Sequence, residues 1–178
     1  LKYSYGHIIE AQTIAPAKAA GHSVEGEQDE LDVDGIKGHR DCVIDGCLVD
    51  VKSASTYSFQ KFRDGSIKDN DTFGYLDQLD GYLVGSSSDP LVRCKDRGYL
   101  LVIDKQLGHM VLYCHEHTRE RARTIRERIV DFKRIVNLGS PPACECGIER
   151  DGESGNIKLD VKASYNSFKH CCFPNLRT

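Results

Sequence analysis

Asp41, Asp50 and Lys52 lie on either side of the dipeptide Asp45-Gly46, and that spacing points to a definite chemistry. Asp-Gly between two strand-like runs is a strong hairpin signal, because both central residues of a type I′ turn need positive φ. A two-residue turn there sets Ile44 against Cys47, Val43 against Leu48 and Asp41 against Asp50. Opposed residues have Cβ atoms about 4.5 to 5.5 Å apart, and like charges so placed weaken the pairing. A divalent cation bound between them removes that cost. Side chains alternate along a strand, so Lys52 emerges on the same face as Asp50. Carboxylates hold Mg²⁺ or Mn²⁺ through hard oxygen donors; the metal activates water and stabilises phosphate charge, while an ammonium orients the water or stabilises the transition state. These three residues therefore suit phosphodiester hydrolysis. The bland alternative is an exposed strand edge with surface ion pairs, and the flanking Val43, Leu48, Val49 and Val51 weigh against it by predicting burial.

The elements that must position this trio follow from the same pattern. A second Asp-Gly, at 34–35, makes 23–33, 36–44 and 47–54 a three-stranded antiparallel meander and sets Gln28 opposite Asp41. A neutral amide is a poor Mg²⁺ ligand beside carboxylates, and Glu27 and Asp29 point to the other face in this register unless a bulge turns one round. None of the three is placed in the site. Upstream, 1–21 reads as a helix with Ile8, Ala11 and Ala15 on one side, a break at Pro16 and Gly21 as its stop. Residues 56–72 are polar and read as a loop. From 73 to 84, Tyr75, Leu76, Leu79, Tyr82 and Leu83 recur at helical spacing. A loop over 86–96, strands over 98–104 and 109–115, and a long helix from Thr118 to about Val136 follow, before Gly139-Ser140-Pro141-Pro142 opens an irregular tail.

The chain has 178 residues, about one domain, and no run near the roughly 18 apolar residues that a membrane span needs. Its opening lacks a basic-then-apolar segment and its only Met is Met110, so a cytoplasmic setting and a natural start upstream of Leu1 are expected. The net charge of −3 argues against a nucleic-acid binder, yet it hides a polarity. Seven basic residues against three acidic ones fall between Arg119 and Arg134, whereas 25–50 is acidic. A basic helix beside an acidic cluster suits a protein that brings a divalent metal to a polyanion, although a solvated helix face explains the charge equally well. Of eight cysteines, Cys42, Cys47, Cys94 and Cys114 read as small core residues, and no disulfide framework is expected. Cys144, Cys146, Cys171 and Cys172 lie in the Gly/Pro-rich tail, where a metal could supply organisation.

Gly38-His39-Arg40-Asp41 followed by Val49-Asp50-Val51-Lys52-Ser53 resembles motifs II and III of the PD-(D/E)XK nuclease superfamily, in its RecB-like exonuclease branch. That branch carries Q-x-x-x-Y on a later helix, and Gln78-Leu79-Asp80-Gly81-Tyr82 matches it; residues four apart share a helix face. Taken alone, Tyr82 would more often be a core aromatic. The resemblance also implies a metal ligand on the first helix, and Gly6-His7-Ile8-Ile9-Glu10 fits the form ending in Glu. By itself Glu10 reads as a solvated helix residue. His7 and His39 adjoin motifs and are taken as supporting residues. The resemblance spans roughly residues 4–115 and is nearest to the phage-encoded type, related to the CRISPR-associated RecB-like exonucleases.

The resemblance thus implies an α/β PD-(D/E)XK core, a mixed central β-sheet flanked by helices, over 1–138, with a Cys-containing irregular tail over 139–178 packed on it. Its function would be metal-dependent DNA exonuclease activity in phage recombination or DNA degradation, in the host-cell cytoplasm, with DNA and a single-strand annealing or other recombination protein as partners. Glu10, Asp41, Asp50 and the Val51 carbonyl would bind Mg²⁺ or Mn²⁺, Lys52 would handle water, and Gln78 and Tyr82 would position the DNA end. Arg119, Arg123 and Arg126 would grip phosphates. Many relatives hold an iron-sulfur cluster through C-x2-C-x5-C, but here that spacing falls on Ala163, Asn166 and Cys172, so two ligands are absent. Cys144, Cys146, Cys171 and Cys172 form another candidate set, for Zn²⁺, with awkward spacing. Leu159-Asp160-Val161-Lys162 echoes the motif at 49–52 but lacks a preceding hairpin with an opposed carboxylate. The alternatives are an endonuclease of the same superfamily and a non-catalytic DNA-binding or assembly module with a metal-binding tail.

Overall fold

The computed structural model describes residues 2–139, 147–150, 157–166 and 169–173. The chain divides into two compact units, 1–131 and 132–178. In the first, helix α1 (Lys2–Ala19) leads to β1 (Val24–Glu25), β2 (Glu30–Val33), β3 (Ile36–His39), β4 (Cys42–Ile44) and β5 (Cys47–Ala54). Helices α2 (Thr56–Arg63) and α3 (Tyr75–Gly85) cross to β6 (Arg97–Asp104) and β7 (Met110–Glu116), and α4 (Arg119–Asn137) runs into the second unit. The main sheet has the order β1-β4-β5-β6-β7, with β5 and β6 parallel and the other pairs antiparallel. One face packs Val43, Leu48, Leu100 and Val102 against Phe59 and Phe62 of α2 and Leu76, Leu79 and Leu83 of α3. The other packs Cys42 and Val49 against Ile14 of α1. This is an α/β fold with a mixed central sheet flanked by helices.

Both Asp-Gly turns form as the residues require: Asp34 and Asp45 sit at φ 51°, followed by Gly35 at 82° and Gly46 at 81°. The registers Val33↔Ile36 and Ile44↔Cys47 match the turn arithmetic. The meander does not. Its middle run splits at Arg40-Asp41, so β2 and β3 form a separate ribbon while β4 joins the main sheet between β1 and β5. The cause is Arg40, whose side chain is 2% exposed and would be intolerable without partners. It donates from Nε to the Gly26 carbonyl (3.1 Å) and from Nη2 to Asp29 (2.6 Å), and Nη1 pairs with Asp89. Gln28, at φ 58°, carries the chain through the turn that this clamp holds.

Four further expectations are corrected. The polar stretch 56–72 contains α2 and a 3₁₀ turn at Ser66–Lys68, because Ser55 caps the helix and Phe59, Phe62 and Ile67 are buried. Pro16 does not break α1; it lies in the last turn, where its missing N–H removes one intrahelical bond. The face of α1 that is buried is Thr13 and Ile14, whereas Ile8 is exposed. Of the four cysteines expected in the core, Cys42 is a buried thiol, whereas Cys47 and Cys94 are joined as a disulfide and Cys114 is exposed.

In the second unit the described residues include regular elements within the stretch expected to be an irregular tail. Its described residues form a ribbon of β8 (Ile148–Arg150) and β9 (Ile157–Leu159) and helices α5 (Val161–Tyr165) and α6 (Lys169–Cys172). The motif echo falls at the end of β9, which pairs antiparallel with β8. Among the described residues no carboxylate opposes Asp160, which caps α5 by accepting from Ala163 N (2.6 Å) and accepts from Gly147 N (2.7 Å).

Candidate active site

Glu10, Asp41, Asp50, Val51, Lys52, Gln78 and Tyr82 all line one cleft of about 400 Å³, brought there from α1, β5, α3 and the approach to β4. Asp50 ends the buried β5 run Leu48-Val49-Asp50 and is only 2% exposed. Its Oδ2 lies 2.6 Å from the Lys52 ammonium yet has no hydrogen bond of good geometry. Asp41, just before the last β4–β5 pair Cys42↔Val49, accepts from Val51 N at 2.6 Å. Glu10, one helical turn from the buried Thr13 and Ile14, accepts from Gln28 Nε2 at 2.7 Å, with His7 Nδ1 3.6 Å away.

The carboxylates hold their protons more tightly than free ones do. Burial pushes Asp50 up to about 6; the Lys52 ammonium offsets part of this, and the charges of Asp41 and Glu10 add to it. Burial likewise raises Asp41, against the Val51 N–H, and raises Glu10, to which the charge of Asp41 contributes. Burial is the main cause at all three, and neighbouring carboxylate charge adds to it at Asp50 and Glu10, so the site favours a cation.

Opposite them a polar relay lies along α3. Lys52 Nζ donates to Gln78 Oε1 (2.9 Å), and Gln78 Nε2 donates to the Tyr82 hydroxyl (2.8 Å). Gly38 is needed where the Tyr82 ring passes, because a Cβ there would stand 3.0 Å from Cε1. Helix α3 is locked at Asp80, which is fully buried and accepts from His115 Nε2 (3.1 Å), His117 Nδ1 (2.6 Å) and Arg121 Nε (2.6 Å).

Two residues of the site escape the sequence reading. Gln28 falls opposite Asp41 as its register predicts and donates its amide to Glu10, so it orients a carboxylate instead of binding metal itself. Tyr75 lines the cleft, with the Lys52 ammonium 5.3 Å from its ring centre. Its signal was the helical spacing with Gln78 and Tyr82, three and seven residues on. Elsewhere, Arg126 pairs with Asp34 (3.1 Å) and Arg123 stands 3.6 Å from Glu127, while both stay exposed, as does Arg119. Cys144, Cys146 and the Cys172 side chain lie outside the described residues, and Cys171 is a free, exposed thiol.

Three solved structures share this architecture. An alkaline exonuclease from Laribacter hongkongensis aligns with a TM-score of 0.57 at 14% identity, covering 75% of this chain and 67% of the exonuclease. A phage-related exonuclease from Haemophilus somnus 129PT aligns with a TM-score of 0.56 at 17% identity, covering 76% and 72%. The chain has the PD-(D/E)XK fold. A third structure with this core, SSO0001, gives 0.52 at 18% identity over 97% of this chain and 71% of its own. No protein-family model matches the sequence, and no curated protein matches it.

The donor set of this PD-(D/E)XK core fits a hard divalent cation: all oxygen, anionic, and including the buried Asp50 Oδ2 that lacks a hydrogen bond. As the side chains stand, no three His, Cys, Asp or Glu among the described residues are gathered tightly enough to hold one ion. Asp41 and Glu10 are turned to the Val51 N–H and the Gln28 amide, partners that an ion would compete with. No helix among the described residues is long and apolar enough to cross a membrane.

Proposed function

We propose that this chain is a divalent-metal-dependent deoxyribonuclease that hydrolyses phosphodiester bonds from DNA ends. The observation that carries the proposal is Asp50: a buried, proton-retaining carboxylate beside Asp41 and Glu10, in contact with an ammonium that is itself held by Gln78. Exonuclease structures with the same fold support it.

Glu10, Asp41 and Asp50 would hold Mg²⁺ or Mn²⁺, with the Val51 carbonyl as a further ligand, and the bound ion supplies positive charge that acidifies water and stabilises the phosphorane-like transition state. Lys52 orients the attacking water, its ammonium fixed between Asp50 and Gln78. The water gives up a proton to solvent as its oxygen bonds to phosphorus, the P–O ester bond breaks, and the leaving oxygen takes up a proton from solvent, without a covalent enzyme intermediate. Gln78 and Tyr82 position the DNA end. Arg119 and Arg123 contact phosphates, a sequence-independent grip that weakens with salt, with Arg126 beside them held by Asp34. We extend the proposal to a role in phage DNA recombination or degradation, which fits a structural neighbour described as a phage-related exonuclease, and to a single-strand annealing or other recombination protein as a partner.

End-labelled linear DNA and a closed circle of the same sequence, each incubated with Mg²⁺ or Mn²⁺, test the end requirement. The proposal expects loss of the linear DNA alone. Nicking or linearisation of the circle would replace it with an endonuclease.

A further inference from the structure

Gln28 holds a backbone conformation that its residue type does not favour. It stands third in the turn Gly26-Glu27-Gln28-Asp29, which Asp29 N closes by donating to the Gly26 carbonyl (3.3 Å), and its φ is 58°. A positive φ at that place in a turn suits Gly or Asn and strains a residue with a longer side chain. The backbone of the turn needs no side chain at this position. Gln28 N donates to the Asp41 carbonyl (3.2 Å) and Arg40 N to the Asp29 carbonyl (3.2 Å), bonds that survive with Gly at 28. What glutamine adds therefore lies in its carboxamide.

That carboxamide meets two acids from separate parts of the chain. Nε2 donates to Glu10 Oε1 on α1 at 2.7 Å, and the same side chain hydrogen-bonds the Asp41 carboxylate. The negative charges of these two acids oppose one another, and one amide serves both. Its NH₂ group has two donors and a partial positive charge, so it does for two carboxylates, weakly, what a cation does strongly. An ion held by Glu10 and Asp41 needs the carboxylate oxygens that the amide now occupies, and a divalent ion is the stronger partner for them. A neutral amide gives way to such an ion. A lysine at the same place would not.

We propose that Gln28 is a displaceable stand-in for the cation: its amide holds Glu10 and Asp41 in the cleft while no ion is bound and yields them when one arrives, so that residue 28 sets the concentration of Mg²⁺ or Mn²⁺ at which the site fills. The proposal rests on the reading of Glu10, Asp41 and Asp50 as metal ligands. It makes Gln28 a positioning residue that acts through two of them.

The test is Mn²⁺ binding without DNA, read from the electron paramagnetic resonance signal of the free ion, for the parent, Gln28→Gly and Gln28→Lys, counting only the binding that Asp50→Ala lacks. Circular dichroism establishes that each protein is folded. Gln28→Gly relieves the left-handed backbone and keeps its backbone hydrogen bonds. It should bind Mn²⁺ about tenfold more tightly, as the release of one hydrogen bond to a charged group allows. Gln28→Lys keeps the backbone strain and brings an ammonium to the acids, so it should bind about tenfold more weakly. A residue that only supports the fold would move both variants in the same direction. Equal or weaker binding by folded Gln28→Gly, or parental binding by folded Gln28→Lys, overturns the proposal and leaves the metal reading standing. A parent that binds no more Mn²⁺ than Asp50→Ala overturns both.

Discussion

Asp50 carries a conflict between stability and chemistry. Burial raises its pKa to about 6, so the fold prefers it protonated. The sign follows: its ionisation costs nothing below the ordinary carboxylate range, and the cost grows with pH until it is complete above about pH 6. Asp50→Asn should therefore raise the melting temperature of the metal-free protein at pH 7, by about 2 to 4 °C for each kcal/mol recovered, while abolishing cleavage. Loss of a salt-bridge partner would normally act the other way, but Lys52 keeps its bond to Gln78 and is not orphaned. Thermal melts of both proteins with and without Mg²⁺ check this, and only the parent should be stabilised by the ion. At this scale much of the cleft was legible: Asp41, Asp50 and Lys52 from a turn and its register, Glu10, Gln78 and Tyr82 from the resemblance. Gln28 was placed correctly and then dismissed, because pairing arithmetic gives a position and not what a side chain will touch.

Helix α3 owes its position to Asp80, one residue of a helix whose other polar members face the cleft or solvent. Burial would raise this carboxylate, yet the hydrogen bonds from His115, His117 and Arg121 outweigh it and hold Asp80 below the usual range. A lowered carboxylate stabilises the fold above its unfolded pKa near 4 and loses that contribution as pH falls through the lower folded value. Asp80→Ala should cost about 3 kcal/mol at pH 7, the lower end for a broken buried pair because Arg121 remains partly exposed. The deficit should shrink below pH 4, which urea unfolding at the two pH values reads directly. Hairpins and α3 were legible because Asp-Gly and helical periodicity are local signals. The split of the middle strand was not, since Arg40 needs Asp89, forty-nine residues away. Helix α2 was missed because only Phe59 and Phe62 mark its buried side.

For the molecule as a whole, charge counting overstated the basic helix. Arg121 and Arg128 are committed to Asp80 and Asp77, and Arg126 to Asp34, so part of the local excess holds α4 to the fold. Arg119 and Arg123 are better placed for phosphate. Replacing both with Gln should leave the melting temperature within about 1 °C and reduce the slope of log affinity against log salt by roughly 1.4 to 1.8, at 0.7 to 0.9 per phosphate contact. A binding titration at several salt concentrations decides it, and an unchanged slope would remove those arginines from the DNA path. The central claim, that this cleft cuts DNA with a divalent metal, is tested most directly by measuring Mg²⁺- or Mn²⁺-dependent hydrolysis of linear DNA by the parent, Asp50→Ala and Lys52→Ala, each shown to be folded. The account predicts cleavage by the parent and its loss in both variants; a folded parent that cuts nothing with either ion, or an Asp50→Ala protein that cuts at the parental rate, would contradict it.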